Sequence, residues 1–404
     1  MKENLYIARS LDKEILKKAE NGGAVTSLLK FALKSGRVDS VLTIKARDGD
    51  RYDGIPVLIN NPEELLETAG SLHCSSVNIS RFLKEYVDGA ASLKIAVTVK
   101  PCDAKAIIEI AKRNQITLDN LLLIGVNCTG TLLPARAKEM MQLEFGIDPA
   151  DVIAENIEDN KLTISLTDGT EKELALSELE ERGYGRRENC RRCETNIPVM
   201  ADIACGKWGT TDKNSTFIEA FSDKGIEFIK AAIEAGDIEV EQPGNDAIKT
   251  RMKKDEAARE LALQWQQKDF AENKKMSNDE RFNYWFKQFD KCTKCYGCRD
   301  ACPICYCKDC ILETDRNFIP AGEIPPDDMF PLLRITHVMD SCVNCGQCQD
   351  ACPVEIPLSR LIFMLNRELY DIFKYEPGTD VNQLPPLQSV TEEELNISGV
   401  EVSF

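Results

Sequence analysis

The sequence predicts an α/β region over residues 1–240 and a small α+β module over 290–375. A charged helical linker over 241–289 joins them, and an acidic tail fills 376–404. Three observations carry this reading. Apolar, strand-like runs alternate with amphipathic helical patterns through the first 240 residues, the pattern of an open and largely buried sheet. The composition turns strongly charged at about residue 243. A cysteine block then appears twice, CTKCYGCRDACP from Cys292 and CVNCGQCQDACP from Cys342, and the copies align without a gap.

Size and charge narrow the classes. At about 150 residues per domain, 404 residues suggest two or three domains. A hydrophobic content of 43% supports a substantial core. No apolar run approaches the ~20 residues that a membrane span needs. The N-terminus MKENLYIARSLDKEILKK lacks the apolar stretch of a signal peptide, so a cytoplasmic protein is expected. A net charge of −17, from 50 basic and 67 acidic residues, argues against nucleic-acid binding. In a reducing compartment 17 cysteines point to metal ligation rather than disulfides. With only two histidines, His73 and His337, zinc fingers of the Cys/His type and a histidine-based triad are disfavoured.

VDSVLTIKA (38–46), LKIAVTV (93–99) and NLLLIGV (120–126) read as buried strands, rich in Val, Ile and Leu. AVTSLLKFALKSG (24–36) reads as a helix that buries Leu28, Phe31 and Ala32 and stops at Gly36. DAKAIIEIAKR (103–113) reads as the next helix, with Asp103 as its N-cap after the turn Lys100-Pro101-Cys102. The charged stretch from Gln242 reads as helical. Tyr284, Trp285, Phe286 and Phe289 are expected to pack as core over the following module. The tail EPGTDVNQLPPLQSVTEEELNIS reads as a mobile or partner-contacting segment.

Cys292, Cys295, Cys298 and Cys302 follow C-x2-C-x2-C-x3-C-P, and so do Cys342, Cys345, Cys348 and Cys352. Three thiolates in so tight a loop wrap one face of an iron–sulfur cube, and the fourth ligates the other cube. One [4Fe–4S] cluster therefore takes Cys292, Cys295, Cys298 and Cys352. The second takes Cys342, Cys345, Cys348 and Cys302. The module is ferredoxin-like and forms a one-electron relay. Four-thiolate zinc pairs two separated CxxC knuckles and has no use for the third cysteine and the Cys-Pro. Cys305, Cys307 and Cys310 have no assigned role.

The N-terminal region has thiols of its own. Cys190 and Cys193 form a CxxC pair; with Cys128 and either Cys102 or Cys74 they would make a third four-thiolate site. Buried free thiols are the alternative. Arg182, Arg186, Arg187, Arg191, Arg192 and Lys207 concentrate positive charge in an acidic chain, and could dock an anionic ligand or form a solvated surface.

The ordered series NGGAVTSLL (21–29), VKPCDAKAI (99–107), IGVNCTG (124–130) and CRRCETNIPVMADIACGKWG (190–209) resembles the beta subunits of coenzyme F420-reducing hydrogenase and F420-dependent formate dehydrogenase. The likeness covers roughly residues 15–240. An appended two-cluster module is similar to the formate dehydrogenase branch in methane-forming archaea. The resemblance implies FAD binding and hydride exchange between FAD and coenzyme F420. Single electrons would then pass through [4Fe–4S] clusters to or from a formate dehydrogenase alpha (catalytic) subunit holding molybdenum or tungsten. It implies that Asn21, Gly22, Gly23 and Thr26 lie against FAD, and that Lys207, Trp208 and Gly209 form a second segment near it. Arg186 and Arg187 become candidates to dock F420 or the FAD pyrophosphate. A third cluster on Cys128, Cys190 and Cys193 is implied, its fourth ligand being Cys102 in preference to Cys74 or Cys205. There is no GxGxxG fingerprint, because Gly183-Tyr184-Gly185 runs into Glu188, so FAD is not expected in a Rossmann site. Alternatives are the same module in a hydrogenase or heterodisulfide-reductase assembly, a flavin-free electron adaptor, and a zinc-stabilised scaffold.

Overall fold

In a computed structural model the described residues are 4–212, 214–313 and 328–388. Eleven strands are found among them: β1 (Leu5–Ser10), β2 (Ser40–Arg47), β3 (Asp50–Ile59), β4 (Ile95–Val99), β5 (Leu121–Val126), β6 (Val152–Glu158), β7 (Lys161–Leu166), β8 (Glu171–Ala175), β9 (Ile203–Gly206), β10 (Thr216–Ala220) and β11 (Ile238–Glu241). Eight form one mixed sheet in the order β11-β1-β10-β9-β5-β4-β2-β3. Its centre, β2-β4-β5-β9, is parallel. Antiparallel strands close both sides. The central strands carry unbroken apolar runs, and Ile95, Ala96, Val97, Val99 and Ile124 are fully buried, as parallel strands covered on both faces must be.

Helices Ala24–Lys34 and Asp223–Ala235 cover one face, burying Leu28, Leu29, Phe31, Phe228 and Ile229 against Val41, Ala96 and Ile218. The first ends as expected, with Gly36 at φ +66 just beyond it. On the other face lies the helix Pro101–Ala111. It starts two residues before the sequence reading places it, because Pro101 suits a first helical position. Asp103 is accordingly not the N-cap: it sits one turn in, and its carboxylate accepts the Lys100 backbone N–H at 2.8 Å. β6, β7 and β8 make a separate antiparallel sheet. It packs on the helix Pro134–Leu143 around Met140, Met141, Leu162 and Ile164. Short and one-third charged, these strands carry no long apolar run, which is why the sequence reading passes over them.

The linker is helical, as Asn245–Lys275 and Asn278–Phe289. It is no free spacer. Arg192, fully buried, pairs with Asp269 at 2.5 Å, and Gln266 donates to the Arg192 carbonyl at 2.9 Å. Trp285 and Phe289 enter a core shared with Ile107 and Ile110 of the helix Pro101–Ala111 and with Ile335, Val343, Leu358 and Ile362 of the cysteine module. That module repeats one unit: a cysteine loop followed by a short helix, Gly297–Asp300 and then Gln347–Asp350. The α+β expectation for it needs correction, since among the described residues of 290–375 there are helices and turns and no strand. Its backbone follows the thiol-bearing loops rather than a ladder.

The tail reading is also revised for its described part. Tyr375 and the Gly378 N–H both donate to Glu109 at 2.6 Å, and Lys105 donates to Glu376 at 2.8 Å, so the chain folds back over the helix Pro101–Ala111. Residues 389–404 lie outside the described residues. No helix among the described residues is long and apolar enough to cross a membrane.

Glu109 is fully buried and faces Lys112 at 2.7 Å and Arg113 at 3.3 Å. Removing it strands two cations in the core. Glu109→Ala should destabilise the folded chain by about 3–5 kcal/mol, and Tyr375→Phe by about 1 kcal/mol. Denaturant midpoints measured anaerobically check this; equal midpoints for Glu109→Ala and the parent would refute the strap.

Candidate active site and thiol centres

A cavity of about 280 Å³ opens at the carboxyl ends of the parallel strands, where open α/β sheets bind ligands. Thr43 of β2, Thr98 of β4, Val126 of β5 and Cys205 of β9 line it, with the Thr98 and Thr43 hydroxyls bonded at 2.8 Å. Asn21, Gly23, Thr26, Lys207 and Trp208 line it as well. Gly22 and Gly209 stand behind the wall. At φ +63 and +93 they hold turns, and a Cβ on either would meet backbone at 2.8 and 2.7 Å respectively. Their need for glycine is therefore steric. The helix Ala24–Lys34 begins at this wall with no side-chain cap, leaving first-turn N–H groups for an anion.

The cavity also holds unmet polar atoms. Ser75 Oγ and Asn127 Oδ1 are buried without hydrogen-bond partners, and buried His73 Nε2 has Glu20 at 3.5 Å. All belong to cavity-lining residues. Buried polar atoms are nearly always satisfied, so a ligand with hydrogen-bonding edges suits this space. Burial pushes the Glu20 carboxyl up, but His73, Ser71 and Lys207 outweigh it and hold the group down at about 2. Sequence reasoning missed Ser75, His73 and Thr43. Only Asn127, inside IGVNCTG, lay in a quoted motif.

Cys128 lines the same cavity. Behind it the structure brings Cys102, Cys190 and Cys193 together: Cys128 and Cys193 both act on Cys102, and Cys190 and Cys193 act on Cys128. Cys74 is elsewhere, 3.9 Å from Glu155. For Cys205, burial alone pushes the thiol up to about 12. Burial likewise pushes Cys128 up to about 12. Lys100, which lines the cavity, answers with positive charge beside Cys102 and Cys128, its Nζ 3.1 Å from Asp103.

Each cysteine repeat lends its last thiol to the other. One small cavity is lined by Cys292, Cys295, Cys298 and Cys352, and another by Cys342, Cys345, Cys348 and Cys302. Leu358 lines both. Backbone amides of Lys294, Asn344 and Ile356 point at the sulfurs of Cys292, Cys342 and Cys352, each at 3.4 Å. Arg334 is buried with its Nε unpartnered. Burial opposes its charge, but Cys302, Cys305, Cys298 and Cys348 outweigh that and hold it protonated. The thiols surround spaces rather than converge on a point: among the described residues no three His, Cys, Asp or Glu side chains could hold a single metal ion. A buried cation with an unpartnered Nε, lining one thiol cavity and acting on Cys298 of the other, fits anionic clusters there. Cys305 adjoins Cys302 and Arg334, Cys310 packs near Cys292 and Cys298, and Cys307 is exposed.

The arginine patch is not the surface that its spacing suggests. Arg186 is buried on Glu180 at 2.6 Å, and Arg187 is buried on Asp350 at 2.6 Å. Neither lines the strand-end cavity. Their charges face carboxylates instead, Glu180 buried and Asp350 partly open to solvent, so this geometry offers neither guanidinium to a ligand in the strand-end cavity.

Family models for the coenzyme F420 hydrogenase/dehydrogenase beta subunit match residues 5–84 (N-term) and 92–246 (C terminus). A model for a 4Fe-4S binding domain matches 335–357. The chain is 45% identical to the F420-dependent formate dehydrogenase subunit beta of Methanocaldococcus jannaschii, covering 95% of this chain and 98% of that one. It is 43% identical to the F420-dependent formate dehydrogenase 1 subunit beta of Methanococcus maripaludis, over 96% and 98%. It is 30% identical to the coenzyme F420 hydrogenase subunit beta of Methanococcus voltae, over 60% and 86%. A chain of the F420-reducing [NiFe] hydrogenase complex of Methanosarcina barkeri shares the fold at a TM-score of 0.57 and 22% identity, covering 66% of this chain and 92% of that one.

If all three thiol groups hold cubanes, purified anaerobic protein should carry about twelve iron atoms per chain. Cys102→Ser should lower that to about eight, while Cys74→Ser and Cys205→Ser leave it unchanged. Iron loss in Cys205→Ser but not in Cys102→Ser would reverse the ligand assignment.

Proposed function

Because this chain belongs to the coenzyme F420 hydrogenase/dehydrogenase beta-subunit family, we propose that it is the electron-transferring beta subunit of an F420-dependent formate dehydrogenase. It is an oxidoreductase subunit with a 4Fe-4S domain. FAD would occupy the strand-end cavity, coenzyme F420 would be its hydride partner, and [4Fe–4S] clusters would sit in the three thiol groups. A separate catalytic subunit would act on formate. The observation that carries this reading is the sharing of Cys128: one thiol both walls the cavity and belongs to the first of three neighbouring thiol groups. Near full-length identity to formate dehydrogenase beta subunits, against partial coverage of hydrogenase subunits, supports formate over hydrogen as the fuel of the assembly.

When bound, FAD supplies the exchange between a hydride pair and single electrons that deazaflavin cannot make and iron–sulfur cubes require. The chain's own residues do the rest. The turn Asn21–Gly23 and the uncapped helix start offer N–H groups to a pyrophosphate. Asn127, Ser75 and His73 offer buried hydrogen-bonding atoms to a ring edge. Lys207, part of the cavity wall, bridges to Asn156 and Glu158 and so ties the small sheet to that wall. A walled site of this kind orients two rings and excludes water, the main requirements of hydride transfer.

The chain purified alone should release FAD on acid denaturation and reduce a viologen dye with reduced F420 but not with formate. Brown protein without flavin would favour a flavin-free adaptor. Formate-driven viologen reduction by the isolated chain would place the formate chemistry here and refute the division of labour. Asn127→Ala should lower flavin content several-fold with iron unchanged, as expected when a buried hydrogen bond worth about 1–1.5 kcal/mol is lost.

A further inference from the structure

The segment that carries Cys190 docks directly on the loop that carries Cys345. Asn189 donates to the Asn344 carbonyl at 3.0 Å and accepts from the Ser359 hydroxyl at 2.6 Å. Gly346 stands at φ +77 against it, where a Cβ would come 2.8 Å from the Asn189 Cβ. At the centre of this contact is Arg187, whose side chain is 4% exposed. Its Nη1 lies 3.9 Å from Cys190 Sγ, its Nη2 donates to the Cys345 carbonyl at 2.8 Å, and its Nε donates to Asp350 at 2.6 Å. Its backbone N–H donates to the Thr131 carbonyl at 2.9 Å, which fixes the side chain's origin beside the loop of Cys128. One guanidinium thus touches a thiol of the N-terminal group and the peptide of a thiol in the ferredoxin-like module.

We propose that Arg187 is a positioning residue for electron transfer between these two thiol centres: it clamps the Cys190 and Cys345 loops together and, opposed by Asp350, sets the reduction potential of both. The inference rests on the reading that Cys102, Cys128, Cys190 and Cys193 hold a cluster. The physical basis is charge. Reduction adds one electron to a centre that is already anionic, in surroundings where burial leaves Coulomb terms weakly screened. A fixed cation in contact with both centres favours their reduced forms, and the carboxylate on the far side of that cation disfavours them. The transfer moves one electron between the centres, one being oxidised as the other is reduced, with no atom or proton exchanged. A planar guanidinium with several donors can hold a sulfur, a carbonyl and a carboxylate together; an ammonium holds them less well.

The test is a potentiometric titration of the full chain, anaerobic, followed by electron paramagnetic resonance. Arg187→Met should make both centres harder to reduce by about tenfold, a fall of about 59 mV for a one-electron couple. Asp350→Asn should shift both in the opposite direction, and Arg187→Lys should stay close to the parent. A purely structural role would give no such pair of opposite signs. Unchanged potentials in Arg187→Met at full iron content, or shifts of the same sign in both charge variants, would overturn the proposal. If Arg187→Met loses iron, Asp350→Asn and Arg187→Lys decide: a rise with the first and parent-like values with the second support it, and any other result refutes it. Parent protein with only about eight iron atoms would overturn instead the cluster reading on which the inference stands.

Discussion

Much of this molecule is arranged around one difficulty, the placement of anionic sulfur inside an apolar core. Seven of the eight repeat-block thiols pack against the same hydrophobic cluster that unites the sheet and the module. Burial is the first cause that pushes up Cys298, Cys342, Cys345 and Cys348. A deprotonated ligand in such surroundings needs compensating charge or hydrogen bonds. The chain provides both. Backbone amides point at Cys292, Cys342 and Cys352, and each thiol group has a cation beside it: half-buried Lys100 by Cys102 and Cys128, buried Arg187 by Cys190, and buried Arg334 by Cys298, Cys302 and Cys348. An acidic chain of net charge −17 thereby concentrates positive charge where the chemistry needs it.

The helix Pro101–Ala111 shows how local sequence order achieves this. Thr98, next to last in β4, lines the cavity, Lys100 turns the chain, and Cys102 enters the helix facing the other thiols. Cavity wall, counter-charge and metal-ligand type thus come from five consecutive residues, and their spacing is set by the geometry of one strand-to-helix turn. The same helix buries Ile107 and Ile110 against the cysteine module and anchors the returning tail through Glu109. Loss of that helix's packing would loosen site, module and strap together.

What the sequence makes legible follows from how local the signal is. The cysteine blocks were readable because ligand spacing within a tight loop is a local constraint, and the crossing of Cys302 and Cys352 between cavities follows from chain direction after the third thiol. β2, β4 and β5 were readable because centrally buried strands are apolar throughout. β6–β8 were not: β7 alternates, with Leu162, Ile164 and Leu166 inward, but strands of five to seven residues interrupted by Glu, Lys and Asn hold too few apolar positions to stand out. Nor could pattern distinguish an arginine dock from buried arginines: Arg186 and Arg187 find Glu180 and Asp350, and the latter pair spans 163 residues of chain. Ser75 and His73, polar residues in an irregular loop, carried no signal until the fold set them at the ends of the parallel strands.

The thiol groups are partly buried except at one end of the series, and that difference has a consequence. Beginning at the cavity, Cys128 belongs to a group of partly buried thiols, and that group meets the module through Cys102 and Cys345 and through Arg187. The next group shares Leu358 and Arg334 with the last. Among the thiols lining the module's cavities, only Cys295, in the last group, is exposed. Coupling between redox centres falls steeply with separation, so cofactors held in groups this close would be coupled along the series, while apolar packing insulates its sides. Ile335, Val338, Val343 and Ile362 supply that packing around the middle group. The fold therefore leaves the thiol series two natural ends, a walled cavity with unmet polar atoms and an open edge at Cys295. That polarity comes from burying the middle of the series between the sheet and the linker helices, because a module tethered loosely to the sheet would expose every group alike.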